Sequence, residues 1–316
     1  MTARVFYSLE SARDNFGPCA LTIGNFDGVH LGHQALLAAA RRWAAGNNAC
    51  AGVLAFHPHP TVIVAPQRVP QLICSLEERL ELLSAAGAER ILVLPFTSDL
   101  ARFTPEEFIS RILVEGLHTK AVIVGENFRF GHKQAGTPEV LEDLGQQYGF
   151  STHFIKPVAC RGRIVSSTLI RQCLTEGEVP LAGRLLGRCF ALEGPVISGH
   201  GIGSKQTVPT LNLGVPAGQL TPRGVFVTET VEPATGRRWP SITNAGFRPT
   251  FGGEELTIET FLLAQLDGES PEHIRVSFRR FLRAERAFPD AQSLKSQILK
   301  DVARAQSYWR RVLKIY

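Results

Sequence analysis

The feature that most limits what this chain can become is a rhythm that runs through its first half and then stops. Short continuous apolar runs at 20–24, 51–56, 90–96, 121–125 and 152–156 alternate with helical patterns at 34–45, 76–86, 105–115 and 138–148. Runs of that length without polar alternation suit strands covered on both faces, as in a parallel sheet. Two of the helical segments open on Thr104-Pro-Glu and Thr137-Pro-Glu, a hydroxyl at the N-cap followed by proline at the first helical position. The alternation predicts an open, doubly wound α/β domain. After about Gly187 the pattern becomes period-two, at 191–198, 224–231, 256–263 and 274–279, with turn residues between. Consecutive short strands of this kind predict a small antiparallel barrel or sandwich. One amphipathic helix, about 290–312, closes the chain, and the change of rhythm places the domains at 1–186 and 187–316.

Composition removes several function classes. With 44% apolar and 20% charged residues the chain is not disordered. Its apolar runs are strand-sized, which excludes a transmembrane helix, and the start, Met1-Thr-Ala-Arg-Val-Phe6, lacks a signal-peptide core. Cys19, Cys50, Cys74, Cys160, Cys173 and Cys189 show no CxxC or zinc-like spacing, so reduced thiols in a cytoplasmic protein are expected. The net charge of +5 suits phosphorylated small molecules or simple solubility. It comes without any block of like charges, so neither a nucleic-acid tail nor a membrane partner is expected.

The richest stretch is Thr22-Ile-Gly-Asn-Phe-Asp-Gly-Val-His-Leu-Gly-His33, where an apolar strand runs through a glycine-bearing turn into a helix. Gly24, Gly28 and Gly32 let backbone approach a ligand closely. A helix start offers unpaired N–H groups and positive potential, a resting place for phosphate. His30 and His33, three apart, can donate hydrogen bonds to charge developing on a phosphoryl group. A lone histidine in a turn would be ordinary polar surface; two of them at this turn point to nucleotide chemistry. The stretch is neither GxxxxGK[ST] nor GxGxxG.

This segment resembles the HxGH-type nucleotidyltransferases. With Phe56-His-Pro-His-Pro60, Val124-Gly-Glu-Asn-Phe-Arg-Phe-Gly131 and Val165-Ser-Ser-Thr-Leu-Ile-Arg171, it is similar to the bacterial bifunctional riboflavin kinase/FAD synthetases. The resemblance implies that His30 and His33 bind ATP phosphates, supported by Gly24, Asn25, Phe26, Asp27, Gly28 and Gly32. It implies that Ser167, Thr168 and Arg171 clamp the triphosphate, for which a planar guanidinium is well shaped. Asn127, where the family commonly has Asp, would lie near flavin and nucleotide. Phe128 and Phe130 would either stack on a flavin or pack in the core. His57 and His59, and likewise Arg129 and Arg163, are open between substrate contact and ordinary packing or solvation.

In the second half, Gly199-His-Gly-Ile-Gly-Ser-Lys-Gln-Thr-Val-Pro-Thr-Leu-Asn212 is a glycine-rich loop leading into Pro-Thr-x-Asn. Such a loop can wrap phosphates or be an ordinary turn. The same resemblance covers this half through Pro209-Thr-Leu-Asn212, Asn244-Ala-Gly-Phe-Arg-Pro-Thr-Phe251, Ile258-Glu-Thr260 and Arg283-Ala-Glu-Arg-Ala-Phe288. It implies that Gly201, Gly203, Lys205, Pro209, Thr210 and Asn212 bind ATP, with Thr210 and Asn212 holding Mg2+. It implies that Glu259 is the base for a ribityl hydroxyl; period-two alternation alone also allows a Glu facing water. Two departures fall here. The loop reads Gly203-Ser-Lys-Gln-Thr-Val without the family's late glycine, and 264–270 replaces a D-F-x-x-D-L-Y-G segment.

The expected function is therefore two-step synthesis of FAD from riboflavin through FMN, with ATP as co-substrate. Two alternatives stand beside it. One is an FAD synthetase whose second domain is not catalytic; the other is a flavin- or nucleic-acid-binding module without turnover.

Overall fold

The computed structural model describes residues 2–197, 210–250, 253–266 and 268–313. Its backbone packs into two units, Met1–Ser167 and Thr168–Tyr316.

In the first unit all five apolar runs are strands. β1 (Arg4–Phe6), β2 (Cys19–Gly24), β3 (Cys50–His57), β4 (Arg90–Pro95), β5 (Thr119–Gly125) and β6 (Ser151–Ile155) form one sheet in the order β1-β4-β3-β2-β5-β6. Every neighbouring pair is parallel. The strands divide their residues between the two faces: Leu54, Leu92 and Val122 pack with Phe16 and Leu117 on one, whereas on the other Val53, Ile91 and Val93 pack with Leu37 and Leu83, and Ala20, Ala121 and Ile123 with Ala40 and Ala44. Each such side chain taken from water contributes about 1.5–3 kcal/mol, which explains why the runs are apolar throughout.

The crossovers are α1 (Leu9–Arg13), α2 (Leu31–Ala45), α3 (Thr61–Val64), α4 (Leu76–Ala85), α5 (Pro105–Glu107) and α6 (Pro138–Tyr148). Both predicted threonine caps are present: Thr104 forms a reciprocal capping box with Glu107, and the Thr137 hydroxyl accepts from the Val140 N–H. Two boundaries differ from expectation. α2 begins at Leu31 rather than 34, because His30 serves as its cap. The helix expected at 105–115 is one α-helical turn followed by a π-helix, Phe108–Val114, which keeps Phe108, Ile109, Ile112 and Leu113 all buried. A small hairpin, β7 (Ala159–Cys160) with β8 (Arg163–Ile164), precedes the second unit.

Strand order reverses between β2 and β5, since β3 and β4 lie on one side and β6 on the other. In open α/β sheets the crevice beyond the carboxyl ends of two such strands is where ligands bind. Here those ends are Gly24 and Gly125.

The second unit holds α7 (Ser167–Thr175, after its first residue), α8 (Val179–Leu186) and β9 (Ala191–Ile197), β10 (Thr210–Leu213), β11 (Gly224–Val231), β12 (Arg238–Thr250), β13 (Gly253–Leu262) and β14 (His273–Arg283). The six strands close into a barrel, β10-β13-β12-β11-β14-β9, antiparallel throughout, so the barrel and not the sandwich is formed. α9 (Ala291–Leu313) covers part of its outer face through Ala305 and Trp309, which pack on Val225, Val227 and Ile242. By contacts α7 and α8 group with the barrel, ahead of the change of rhythm near residue 186. α8 packs on β14, and Gly177 abuts the Phe281 ring.

The barrel's inward row carries a feature that alternation of polarity does not reveal. Thr260, Thr243, Thr228, Ser241 and Thr230 are all fully buried, and their hydroxyls form one chain with successive separations of 2.9, 2.8, 2.9 and 2.8 Å. A hydroxyl both donates and accepts, so such a chain satisfies itself without charge.

Candidate functional sites

The turn after β2 is built from strained backbone. Phe26, Gly28 and Val29 have φ of +50°, +79° and +38°, and the side chains of Phe26 and Val29 are buried. What holds it there is Asp27, 1% exposed, whose carboxylate accepts the N–H groups of Ile73 (3.0 and 3.1 Å) and Cys74 (3.3 Å). The Cys74 sulfur in turn accepts the Gly28 N–H at 3.2 Å. Its thiol is pushed up to about 12, first by burial and then by the Asp27 charge, so it is a brace and not a nucleophile. Phe26 and Asp27 therefore serve the candidate nucleotide site through backbone and shape, their side chains being turned into the protein. Replacing Asp27 with Ala orphans two buried amides. We expect a loss of about 2–4 kcal/mol from the unit that contains it, read as a lower unfolding midpoint by circular dichroism.

His30 sits at the N-cap of α2, and its Nδ1 accepts the His33 N–H at 3.3 Å. That bond places the proton of the neutral ring on Nε2. The rings of His30 and His33 stack at 3.6 Å and 13°, and Phe26 closes on His33 from another side at 5.0 Å. Gly32 keeps room for this stack, since a Cβ there would lie 3.1 Å from the His30 ring and press it aside by a few tenths of an ångström. The His33 Nδ1 is buried with no hydrogen-bond partner. Burial, then the His30 ring, then the Arg79 guanidinium hold His33 well below the ordinary value of 6.5. The pair thus places two stacked imidazoles, with His33 held neutral, at the positive end of a helix.

The same shift links pH to stability. The unfolded chain takes up a proton below about 6.5 that the folded chain resists. Stability therefore falls as pH drops through that range and is unaffected by this group above it. Between pH 7 and 5 this group is expected to contribute a slope of up to about 1.4 kcal/mol per pH unit in denaturation, so that the pH dependence of stability is shallower in His33→Gln by that contribution.

From the corner at Gly24 and Asn25 a cavity of about 790 Å3 opens over Phe56, Phe96, Phe108, Phe128 and Phe130. Phe128 and Phe130 stack at 5.6 Å, and Phe56 meets Phe96 edge-on at 5.5 Å. Phe130 is buried in the core, and Phe128, partly buried, packs against the same core; both line the cavity. Arg102, Arg129, His132 and Lys133 stand at the rim. His59 borders the corner, its Nε2 3.1 Å from the Asn25 amide nitrogen, whereas His57 is exposed at the end of β3.

Of the remaining predicted residues, Ser167 is brought to the turn, its hydroxyl donating to the Asp27 carbonyl at 3.0 Å. Thr168 and Arg171 follow on α7, Arg171 one helical turn beyond Ser167. Asn127 is exposed just beyond β5, next to the cavity-lining Phe128. Arg163 is exposed on β8 and does not line the cavity.

On the barrel, Ile258 points inward and Glu259 outward into a cleft of about 320 Å3 beneath α9. Register sets Asn212 of β10 and Asn244 of β12 directly beside Glu259 on its two sides. Thr210 lies in the same cleft, beside Phe261. The Asn244 amide donates to Glu285 at 3.2 Å, and the Glu285 carboxylate occupies the space a Cβ would need at Gly246. Two separated motifs thereby meet. Arg283 pairs with the buried Asp301 of α9 at 2.8 Å, and Arg286 bonds Gln297, tying 283–288 to the helix. Gly201, Gly203, Lys205 and Pro209 lie outside the described residues.

Two family models match the chain: FAD synthetase over residues 12–169 and riboflavin kinase over 186–309. The chain is 34% identical over 293 residues to the bifunctional riboflavin kinase/FMN adenylyltransferase of Escherichia coli K12, covering 92% of this chain and 93% of that one. It belongs to the bifunctional riboflavin kinase/FMN adenylyltransferase family. The relative from Pseudomonas fluorescens is 33% identical over 95% of this chain and 96% of its own. A crystal structure titled a macrolide-efflux protein, from Streptococcus pneumoniae, superposes with a TM-score of 0.84 at 25% identity over 97% of this chain and 99% of that one. Among the described residues no helix of this family member is long and apolar enough to cross a membrane.

Sequence reasoning missed several residues that line these sites in the present family member. Phe56 at the end of β3, Phe96 just after β4 and Phe108 at the start of the π-helix come from three separate places in the chain, and nothing local marks them as one wall. Asn244 and Glu285 stood in quoted motifs without a role; their mutual bond supplies one. Arg79 of α4 gave no signal at all, because a single arginine in an amphipathic helix reads as surface.

Proposed function

We propose that the chain makes FAD in two transfers at two separate sites. At the barrel, a riboflavin hydroxyl attacks the γ-phosphorus of ATP, giving FMN and ADP. At the α/β unit, the FMN phosphate attacks the α-phosphorus of a second ATP in line, giving FAD and pyrophosphate. The observation that carries this is the stacked imidazole pair at the start of α2, beside a corner from which an aromatic-walled cavity opens. Nucleotide phosphates would rest at the helix start, with His30 and His33 donating to charge that develops as pyrophosphate leaves, and Ser167, Thr168 and Arg171 assisting. The flavin would lie along Phe128 and its neighbours with its phosphate toward Gly24 and Asn25, and Asn127 beside it. Positioning suffices there, since a phosphate nucleophile needs no general base.

At the barrel, Glu259 would accept the hydroxyl proton, held in place by Asn212 and Asn244. The oxygens of Thr210 and Asn212, one of them next to the Glu259 carboxylate, are hard donors of the kind that suit Mg2+. They are few, which fits an ion carried largely by nucleotide phosphates; among the described residues no group of three or more His, Cys, Asp or Glu could hold a metal. Magnesium bound with the nucleotide would supply positive charge toward the phosphates. The cytoplasm, where ATP is abundant, is the compartment this assignment requires.

Incubating the full chain with riboflavin and MgATP and separating the flavins by chromatography tests the assignment. FMN followed by FAD, with pyrophosphate released, is the expected outcome. FAD formed only from supplied FMN would leave adenylyl transfer alone. Steeply salt-dependent DNA binding with no flavin turnover would overturn both activities.

A further inference from the structure

Arg79 lies in the first turn of α4, is 2% exposed, and is the bulkiest of the fully buried side chains among the described residues. Its Nη1 donates to the Asn25 carbonyl at 3.1 Å and reaches the Phe56 carbonyl at 3.5 Å. These two carbonyls stand at the carboxyl ends of β2 and β3, on the side where the turn and the cavity meet. Its Nε is buried with no hydrogen-bond partner. Among the described residues no carboxylate pairs with this cation; Asp27, the acid of the turn, faces the amides of Ile73 and Cys74 instead. A guanidinium removed from water without a counter-charge is costly, and two carbonyl dipoles offset only part of that cost. Its field reaches the ligand corner, since it is one of the causes that keep the His33 ring from protonating.

We propose that Arg79 is a positioning residue for adenylyl transfer, whose buried and uncompensated charge fixes the ends of β2 and β3 and finds its counter-ion in the phosphates of the nucleotide. This rests on the nucleotide site proposed above. The polyphosphate then closes an electrostatic deficit that the folded chain carries from the outset. A low-dielectric position makes the attraction stronger than any surface arginine would provide. The same charge adds to burial and the His30 ring in lowering the His33 pKa, which favours the neutral imidazole as a hydrogen-bond donor.

The test uses the full chain and the variants Arg79→Met and Arg79→Lys. Each is titrated calorimetrically with pyrophosphate and with MgATP, and His33 is titrated by proton NMR. Arg79→Met is expected to bind pyrophosphate about tenfold or more weakly, with KM for ATP in FAD formation rising in step. Its His33 ring is expected to protonate at higher pH, whereas in Arg79→Lys, which keeps the charge, it is expected to titrate as in wild type. Arg79→Lys keeps the charge and is expected to stay within about threefold of wild type. A folded Arg79→Met with wild-type pyrophosphate affinity overturns the proposal, as does an Arg79→Lys no better than Arg79→Met, which would make shape and not charge the requirement. If Arg79→Met does not fold, Arg79→Lys decides alone: retained affinity supports the charge, and a tenfold loss removes it. A wild-type chain that binds no pyrophosphate and forms no FAD would sink the nucleotide site itself; active wild type beside an unaltered Arg79→Met sinks only the role of Arg79.

Discussion

His33→Ala is expected to slow FAD formation from FMN by about 10²- to 10³-fold, the usual effect of removing one fixed donor from a site of developing charge. The substitution is informative because it leaves the local fold in place. His30 caps α2 through the backbone N–H of residue 33, which alanine retains. What disappears is a ring held between His30 at 3.6 Å and Phe26 at 5.0 Å. His30→Ala would mix two effects, adding the loss of a helix cap, about 1 kcal/mol, to the loss of a donor. FMN formation from riboflavin is expected to stay within about twofold of wild type in His33→Ala, since sites that share no residue or partner behave independently. Flavin chromatography after separate incubations with riboflavin and with FMN measures both rates. An undiminished FAD rate would remove the imidazole pair from the chemistry.

Glu259→Gln is expected to do the reverse. Loss of a positioned base lowers the rate by about 10²- to 10⁴-fold, here in FMN formation, while FAD formation from supplied FMN persists. The variant is isosteric, and the strand register that sets it between Asn212 and Asn244 is unchanged. Its unfolding midpoint should therefore match wild type, which separates a chemical loss from a structural one. Either variant losing both activities while still folded would contradict two independent sites.

The contrast between these two positions shows how sequence and structure divide the work. His30 and His33 were legible because the chemistry is local: an N-cap, a glycine two residues on and a second ring three residues on all belong to one helical turn. Glu259 was ambiguous because a strand residue's alternation gives its face and not what covers that face. The face proved outward, as alternation implied, yet it opens into a cleft beneath α9. The threonine chain inside the barrel went unnoticed for a related reason. Threonine is polar by composition but β-branched in shape, and only when Thr260, Thr243 and Thr228 are placed side by side can their hydroxyls satisfy one another.

By itself the sequence determined the alternation of buried strands and capped helices, the switch to an antiparallel unit of short strands, and the two motif-bearing turns, because periodicity and capping act over a few residues. Only the tertiary structure decided that the barrel closes, that five phenylalanines from separate places in the chain form one wall, that Glu285 fills the space at Gly246, and that a charged Arg79 lies beneath the turn. Those outcomes depend on strand order and register, which bring together residues tens of positions apart and leave no mark on the stretch of chain around any one of them.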